Sequence, residues 1–264
     1  MAAAPQTPTT CAAAVAASAV LSALGVKGSF FIMVRIWFDG LPELAATAAA
    51  QVVGVCGAAA IVVGGVLALR QSRLKLLIAY STVAQIGYLF LIFPLATAGS
   101  AALVGGFFQV ISHALAKAAL FLGAGLVVEV IGHDRLNGLR GMFRVLPLTV
   151  LAFGLAALSL LGVPPTGGFV AKWLLLTAAM EAAQWWWAVV IFGGGLLAGG
   201  YLFRMVAPML ADAGEPIAGV SSVSKTRETV VLALAVAALL LGVFPDLPAA
   251  LLEIGHPELA EVGR

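Results

Sequence analysis

The sequence predicts an all-α, polytopic membrane helical bundle that contains one broken transmembrane helix. Hydrophobic residues make up 62% of its 264 positions and charged residues only 10%, far from the half-apolar, quarter-charged average of soluble domains. Apolar stretches of about twenty residues recur from end to end, too many for a single anchor and without the alternation of a barrel strand. One of these runs, residues 145–179, is interrupted by "GVPPTGGFVAKW". The whole chain, 1–264, reads as a single transmembrane domain.

In chain order the apolar pattern predicts helices over Cys11–Phe38, Leu44–Leu69, Leu74–Leu95, Ala101–Ile131, the interrupted run Val145–Ala179, Trp185–Leu210 and Glu228–Leu252. Short polar breaks such as "RQSRLK" and "HDRLNGLRGMFR" separate them, and residues 211–227, which include "ADAGEPIAGVSSVSKTR", form a loop. The opening "MAAAPQTPTT" lacks a basic region, so no cleavable signal peptide is expected. Cys11 and Cys56 stand among small apolar residues and read as packing residues, with no metal-ligand or disulfide spacing.

Charge placement decides whether the interrupted run crosses the membrane once or twice. With one crossing, Arg70, Arg73, Lys75, Arg135, Arg140, Arg144, Arg204, Lys225 and Arg227 fall on one side, leaving Arg35 and Arg264 near the other. That is a positive-inside pattern, and a second crossing weakens it. Each half of the run is also short, about sixteen residues or roughly 24 Å, against a hydrocarbon core of ~30 Å. The expectation is one spanning element made of two half-helices, about seven crossings in all, and a cytoplasmic N-terminus and 211–227 loop. The membrane expected is the bacterial cytoplasmic (inner) membrane.

Pro164 and Pro165 supply no backbone N–H, and Gly167 and Gly168 relax the chain, so carbonyls near the break lose their helical partners. Inside a membrane such groups are tolerated where they are buried in protein or line a watery cavity. A Gly/Pro-interrupted apolar segment points to a transport site; the plain alternative is a kink that only improves packing. Lys172, just past the break, weighs against that alternative, because an intramembrane lysine costs at least about 2.5 kcal/mol even on the gentler insertion scale. Snorkelling towards the interface is the competing account of Lys172.

Three further ionisable residues sit inside apolar runs. In "FFQVISHALAKAALFLGAG", Gln109, His113 and Lys117 recur every four residues and form one polar stripe. Lys27 in "LSALGVKGSFFIMVRIWF" precedes Arg35 by eight positions, more than two helical turns. Ser81, Gln85 and Tyr88 in "AYSTVAQIGYLF" share a face, where they act either as interhelical hydrogen-bond glue or as lining for water.

Lysine and histidine out of water suit proton exchange near neutral pH, and a carboxylate that moves or is neutralised beside them acts as a switch. Asp39, Glu43, Glu129, Asp134 and Glu181 fall in loops or near helix ends, so the carboxylate end of such a relay is not visible. No nucleophile motif, phosphate loop, dinucleotide fingerprint or metal-ligand cluster is present, and no cofactor, metal or nucleic-acid partner is expected.

The segments "SALGVKGSFFIMVR", "LKLLIAYSTVAQIGYLF", "SHALAKAALFLGAG" and "GVPPTGGFVAKW", in that order over about residues 18 to 205, resemble the antiporter-like proton-channel subunits. That family is shared by respiratory NADH:quinone oxidoreductase, Mrp-type cation/proton antiporters and membrane-bound hydrogenases. The resemblance implies two inverted five-helix repeats, each with a broken helix, and a polar axis along the membrane centre. It makes Lys27 similar to the central lysine or histidine of the eighth helix, and His113 and Lys117 similar to the eleventh-helix pair. Lys172 takes the place of the terminal lysine or glutamate of the broken twelfth helix. It further implies that this chain starts near helix eight, as a truncated product or one half of a split subunit, with the N-terminal repeat and its glutamate missing. Arg73 stands where an acidic residue often precedes "LK", and Gln109 where some members carry another histidine.

The function expected is proton or cation/proton translocation as a subunit or half-subunit of a larger redox-driven or antiporter complex. Lys27, His113, Lys117 and Lys172 would carry protons, and Gln109, Ser81 and Gln85 would position water between them. The chain shows no catalytic site of its own, though it fits a subunit of NADH:quinone oxidoreductase. The partners implied are other membrane subunits and the lipid bilayer. The competing reading is a non-conducting structural or assembly subunit that keeps the channel fold.

Overall fold

The computed structural model describes residues 25–43, 48–212 and 223–246, together with 20, 22, 248 and 250. Cys11, the first part of the Cys11–Phe38 helix, most of the 211–227 loop and the end of the last helix lie outside the described residues.

The chain is helical from end to end of the described residues. Helix α1 is Val26–Arg35, continued by a π-helical turn at Ile36–Gly40. Helix α2 is Ala48–Arg70, α3 is Leu74–Phe90 with a further turn at Ile92–Leu95, and α4 is Ala101–Ile131. Helices α5, Pro147–Leu161, and α6, Gly167–Glu181, flank the break. Helix α7 is Trp185–Leu210 and α8 is Lys225–Val243. Helix α8 thus starts three residues before Glu228, because Ser224 in an extended conformation, and not the first apolar residue, begins the helix; the preceding loop ends there. Among the described residues five segments are long and apolar enough to cross a membrane, namely α2, Leu74–Leu95, α4, α7 and α8, and Pro147–Leu161 is a shorter apolar helix.

The 31-residue α4 is the axis of the bundle and packs against α3, α5, α6 and α8. A Cβ added at Gly123 would meet Thr149 and Phe153, Ser112 Oγ lies 2.8 Å from Ser159 Oγ, and a Cβ at Gly105 would meet Ala171 and Leu174. As α4 is followed backwards, its neighbours therefore advance steadily from α5 to α6. The two half-helices continue in one direction and do not fold back as a hairpin.

The basic loops gather at one end of the bundle. Leu74 N donates to Asp134 O (2.6 Å), Leu136 N to Ser72 O (2.9 Å) and Gly141 N to Ala211 O (2.8 Å). Arg144 pairs with Asp212 at 2.9 Å, and Arg227 with Glu129 through two contacts of 2.8 and 2.7 Å. The opposite end is held by uncharged groups: Gln184 accepts from Gln51 Nε2 and from Trp187 Nε1, both at 2.8 Å, and donates to Pro94 O at 3.1 Å. Large apolar side chains such as Phe31, Val62, Phe192, Leu196 and Phe203 point outward, as lipid contact demands.

Candidate functional site: a buried lysine layer at the helix break

Helix α5 ends where Gly162 takes a left-handed conformation (φ 86°), which stops the helix and leaves carbonyls without helical partners. Pro164 and Pro165 follow, joined by a cis peptide bond. Thr166 then starts α6 by accepting from Phe169 N at 3.3 Å, an N-cap the sequence reading overlooked although threonine is among the preferred residues there. Gly167 and Gly168 allow close approach: a Cβ at Gly168 would collide with Ser159 O, and one at Gly167 would meet Leu241 of α8.

Lys172 turns back across this break. Its Nζ donates to Leu160 O at 2.7 Å and to Leu161 O at 2.9 Å, so the second half-helix supplies a cation to the carbonyl end of the first. A positive group is favoured there by the helix dipole. Gln85 Nε2 donates to Leu160 O at 3.1 Å from the other side and also to Tyr201 Oη at 3.2 Å. Lys172 is 8% exposed, so it does not snorkel to a surface of the described residues.

Lys117 is fully buried and stands near the middle of α4, roughly 20 Å from either end at about 1.5 Å per residue. Its Nζ donates to Ile78 O at 2.7 Å and to Ser81 Oγ. Lys27, 7% exposed, donates to Ser22 O, and Ser22 Oγ meets Thr82 Oγ1 at 2.9 Å. Thr82 in turn donates to the same Ile78 carbonyl at 3.1 Å. Gln109 Nε2 donates to Gln85 O at 3.2 Å and to Gln85 Oε1 at 3.1 Å.

All three lysines thus converge on one face of α3. Lys27 and Lys117 are anchored around Ile78, Ser81 and Thr82, and Lys172 around Gln85 and Tyr88, about two turns or ~10 Å further along. The sequence reading had Ser81, Gln85 and Gln109 as water-positioning groups; here they bond directly to protein groups. His113 follows Ser112, which touches Ser159, so it lies at the level of the break and is 2% exposed. Neither of its ring nitrogens has a hydrogen-bond partner among the described residues. Thr82, Ser112, Ser159 and Tyr201 complete the layer and were not singled out from sequence. Thr82 and Ser112 adjoin named residues, but Tyr201 in "AGGYLF" is indistinguishable there from a packing aromatic. Among the described residues no group of three or more His, Cys, Asp or Glu side chains is placed to hold a metal ion.

An all-α bundle wrapped around a broken helix, with long apolar helices whose outer faces carry large hydrophobic side chains, defines a polytopic integral membrane protein. The chain belongs to the family described as NADH:quinone oxidoreductase/Mrp antiporter, TM, which it matches over residues 7–198. NADH-quinone oxidoreductase subunit N of Desulforudis audaxviator is 40% identical over 156 residues, 59% of this chain and 31% of that protein. F(420)H(2) dehydrogenase subunit M of Methanosarcina mazei is 30% identical over 238 residues, 85% of this chain and 46% of that protein. A chain of the Mrp complex from Dietzia superposes with a TM-score of 0.77 at 26% identity, over 92% of this chain and 54% of that one. This chain therefore spans less than half the length of these two curated relatives.

Proposed function

We propose that this chain is the proton-conducting C-terminal part of an antiporter-like subunit, working inside a larger membrane complex. Lys27, Lys117 and Lys172 act as successive proton carriers, with His113 between the last two. One observation carries the reading: three lysines and a histidine, each 8% exposed or less, lie together in the bundle interior with no carboxylate partner among the described residues. Isolated buried cations are costly, and their retention at membrane depth marks an ion or proton path. Both ring nitrogens of His113 need partners, which water entering between Gln109 and Lys117 would provide.

The relatives named above are parts of NADH-quinone oxidoreductase, F(420)H(2) dehydrogenase and an Mrp complex. By analogy this chain works beside other membrane subunits of such a complex. The broken run makes one of about seven crossings, and the basic end faces the cytoplasm of a bacterial inner membrane.

The test is proton uptake by proteoliposomes holding the whole assembly. Lys172→Met is expected to abolish uptake while the complex still assembles, and Lys172→Glu to retain part of it, because a carboxylate also carries a proton. Undiminished uptake by the methionine variant would reduce the break to a packing kink and favour a non-conducting subunit.

A further inference from the structure

Glu228 is a buried carboxylate with no part in the relay. It lies in the first turn of α8 and is 1% exposed. Its Oε2 accepts from Thr149 N at 3.3 Å and from Thr149 Oγ1 at 3.4 Å, and its Oε1 accepts from Lys225 Nζ at 2.8 Å. Thr149 is the third residue of α5, a helix whose own N-cap residue, Leu146, offers no side-chain acceptor. Its first residue, Pro147, has no N–H to satisfy. The capping acceptor for the first half-helix therefore comes from a different helix.

The other end of the same half-helix is held by Lys172, also from a different element, on the carbonyls of Leu160 and Leu161. A carboxylate at the N-terminal end and an ammonium at the C-terminal end both suit the helix dipole. Helix α8 touches α5 and its extension at two levels. Besides Glu228 at the start, a Cβ at Gly242 would collide with Pro165 O and the Thr166 carbonyl carbon. From Glu228 to Gly242 is about 21 Å along the axis, and α5 is about 22 Å long. Helix α8 therefore runs in the same direction as α5 and splints it.

Between the two charged ends the contact is apolar: Val150, Phe153, Ala156 and Ala157 of α5 belong to one cluster with Val231, Ala235 and Ala238 of α8.

We propose that Glu228 is a positioning residue that pins the N-terminal end of α5, and thereby sets the Leu160 and Leu161 carbonyls where they hold Lys172. It acts through the rigid half-helix and does not carry the proton. Its consequence for transport rests on the relay reading above, whereas its consequence for geometry does not.

The experiment measures the distance between spin labels at two outward-facing positions, Leu158→Cys on α5 and Trp173→Cys on α6. It uses the assembled complex in which Cys11 and Cys56 have been changed to serine. Glu228→Ala is expected to broaden the label distance distribution and to lower proton uptake about tenfold, the factor equivalent to about 1.4 kcal/mol. Glu228→Gln, whose amide oxygen still accepts from Thr149, is expected to keep both close to the parent. If Glu228→Ala fails to assemble, Thr149→Val carries the same readout, with a smaller broadening expected. An unchanged distance distribution in Glu228→Ala, or in Thr149→Val where that variant stands in, would overturn the proposal. So would loss of uptake in Glu228→Gln at parental distances, which would make Glu228 itself a carrier. Full uptake by Lys172→Met would sink the relay reading alone and leave the distances to judge Glu228.

Discussion

Lys172 Nζ stands 4.7 Å from the centroid of the Tyr88 ring while donating to the Leu160 and Leu161 carbonyls. The ring face and the two carbonyls together make a cation cradle, with each component contributed by a different helix. Tyr88 is itself fixed by its hydroxyl, which donates to Ile191 O of α7 at 3.3 Å. A buried cation–π contact contributes up to about 2 kcal/mol.

From this pairing we expect Tyr88→Phe to retain most proton uptake, since it keeps the ring face and loses one long hydrogen bond. Tyr88→Leu removes the face and is expected to lower uptake about tenfold, the factor equivalent to about 1.4 kcal/mol lost at the cradle. Uptake assayed in proteoliposomes with both variants decides the matter; an equal loss in the two would place the effect in the hydroxyl, and full uptake in both would remove the ring from the cradle.

The closeness of the half-helices gives a stability prediction. Gly168→Ala would drive a methyl group into Ser159 O, which belongs to the backbone and cannot swing aside. Overpacking of this kind costs about 1–3 kcal/mol, so the complex should melt at a lower temperature and lose transport. Gly193→Ala on α7 meets nothing within 4 Å and should leave the melting temperature unchanged or raised, because alanine favours helix by about 1 kcal/mol. Thermal unfolding of the two variants in the same detergent compares them directly.

His113→Leu separates stability from function. Neither ring nitrogen holds a hydrogen bond among the described residues, so the substitution breaks no such bond there. The expected result is a melting temperature at or above that of the parent, together with loss of proton uptake. A stable, fully active leucine variant would remove His113 from the relay.

Topology can be tested at the charged end. Arg140 lies between α4 and α5 and Lys225 opens α8, at the end of the bundle closed by Arg144–Asp212 and Arg227–Glu129. Single cysteines placed at 140 and 225 are expected to react with a membrane-impermeant maleimide from the same side, in intact cells or inverted vesicles. Labelling from opposite sides would mean that the broken run crosses twice.

The all-α membrane character was legible because the solvent dictates it: in hydrocarbon the backbone must satisfy itself, so long apolar runs with few charges have one outcome, the spanning helix. The break at Pro164–Gly168 and the stripe of Gln109, His113 and Lys117 were legible too, because prolines and buried charges are rare in such runs and helical spacing places positions i and i+4 together. Which groups the charges would meet was not. Lys117 could be assigned to a face of α4, but only the packing of α3 against that face brings Ile78 O and Ser81 to its ammonium. Lys172 lies next to its partners in sequence, yet its turn back onto Leu160 depends on the close approach at Gly168 and on Gln85 holding the same carbonyl. Glu228 is, in the sequence, no more than the first residue of the expected last helix; it is buried because α8 lies along α5. Local sequence sets which residues are costly to bury, through transfer energies that act residue by residue. Tertiary structure alone decides who compensates them, because a hydrogen bond depends on position to within a few tenths of an ångström, and that position is fixed by helices far apart in the chain.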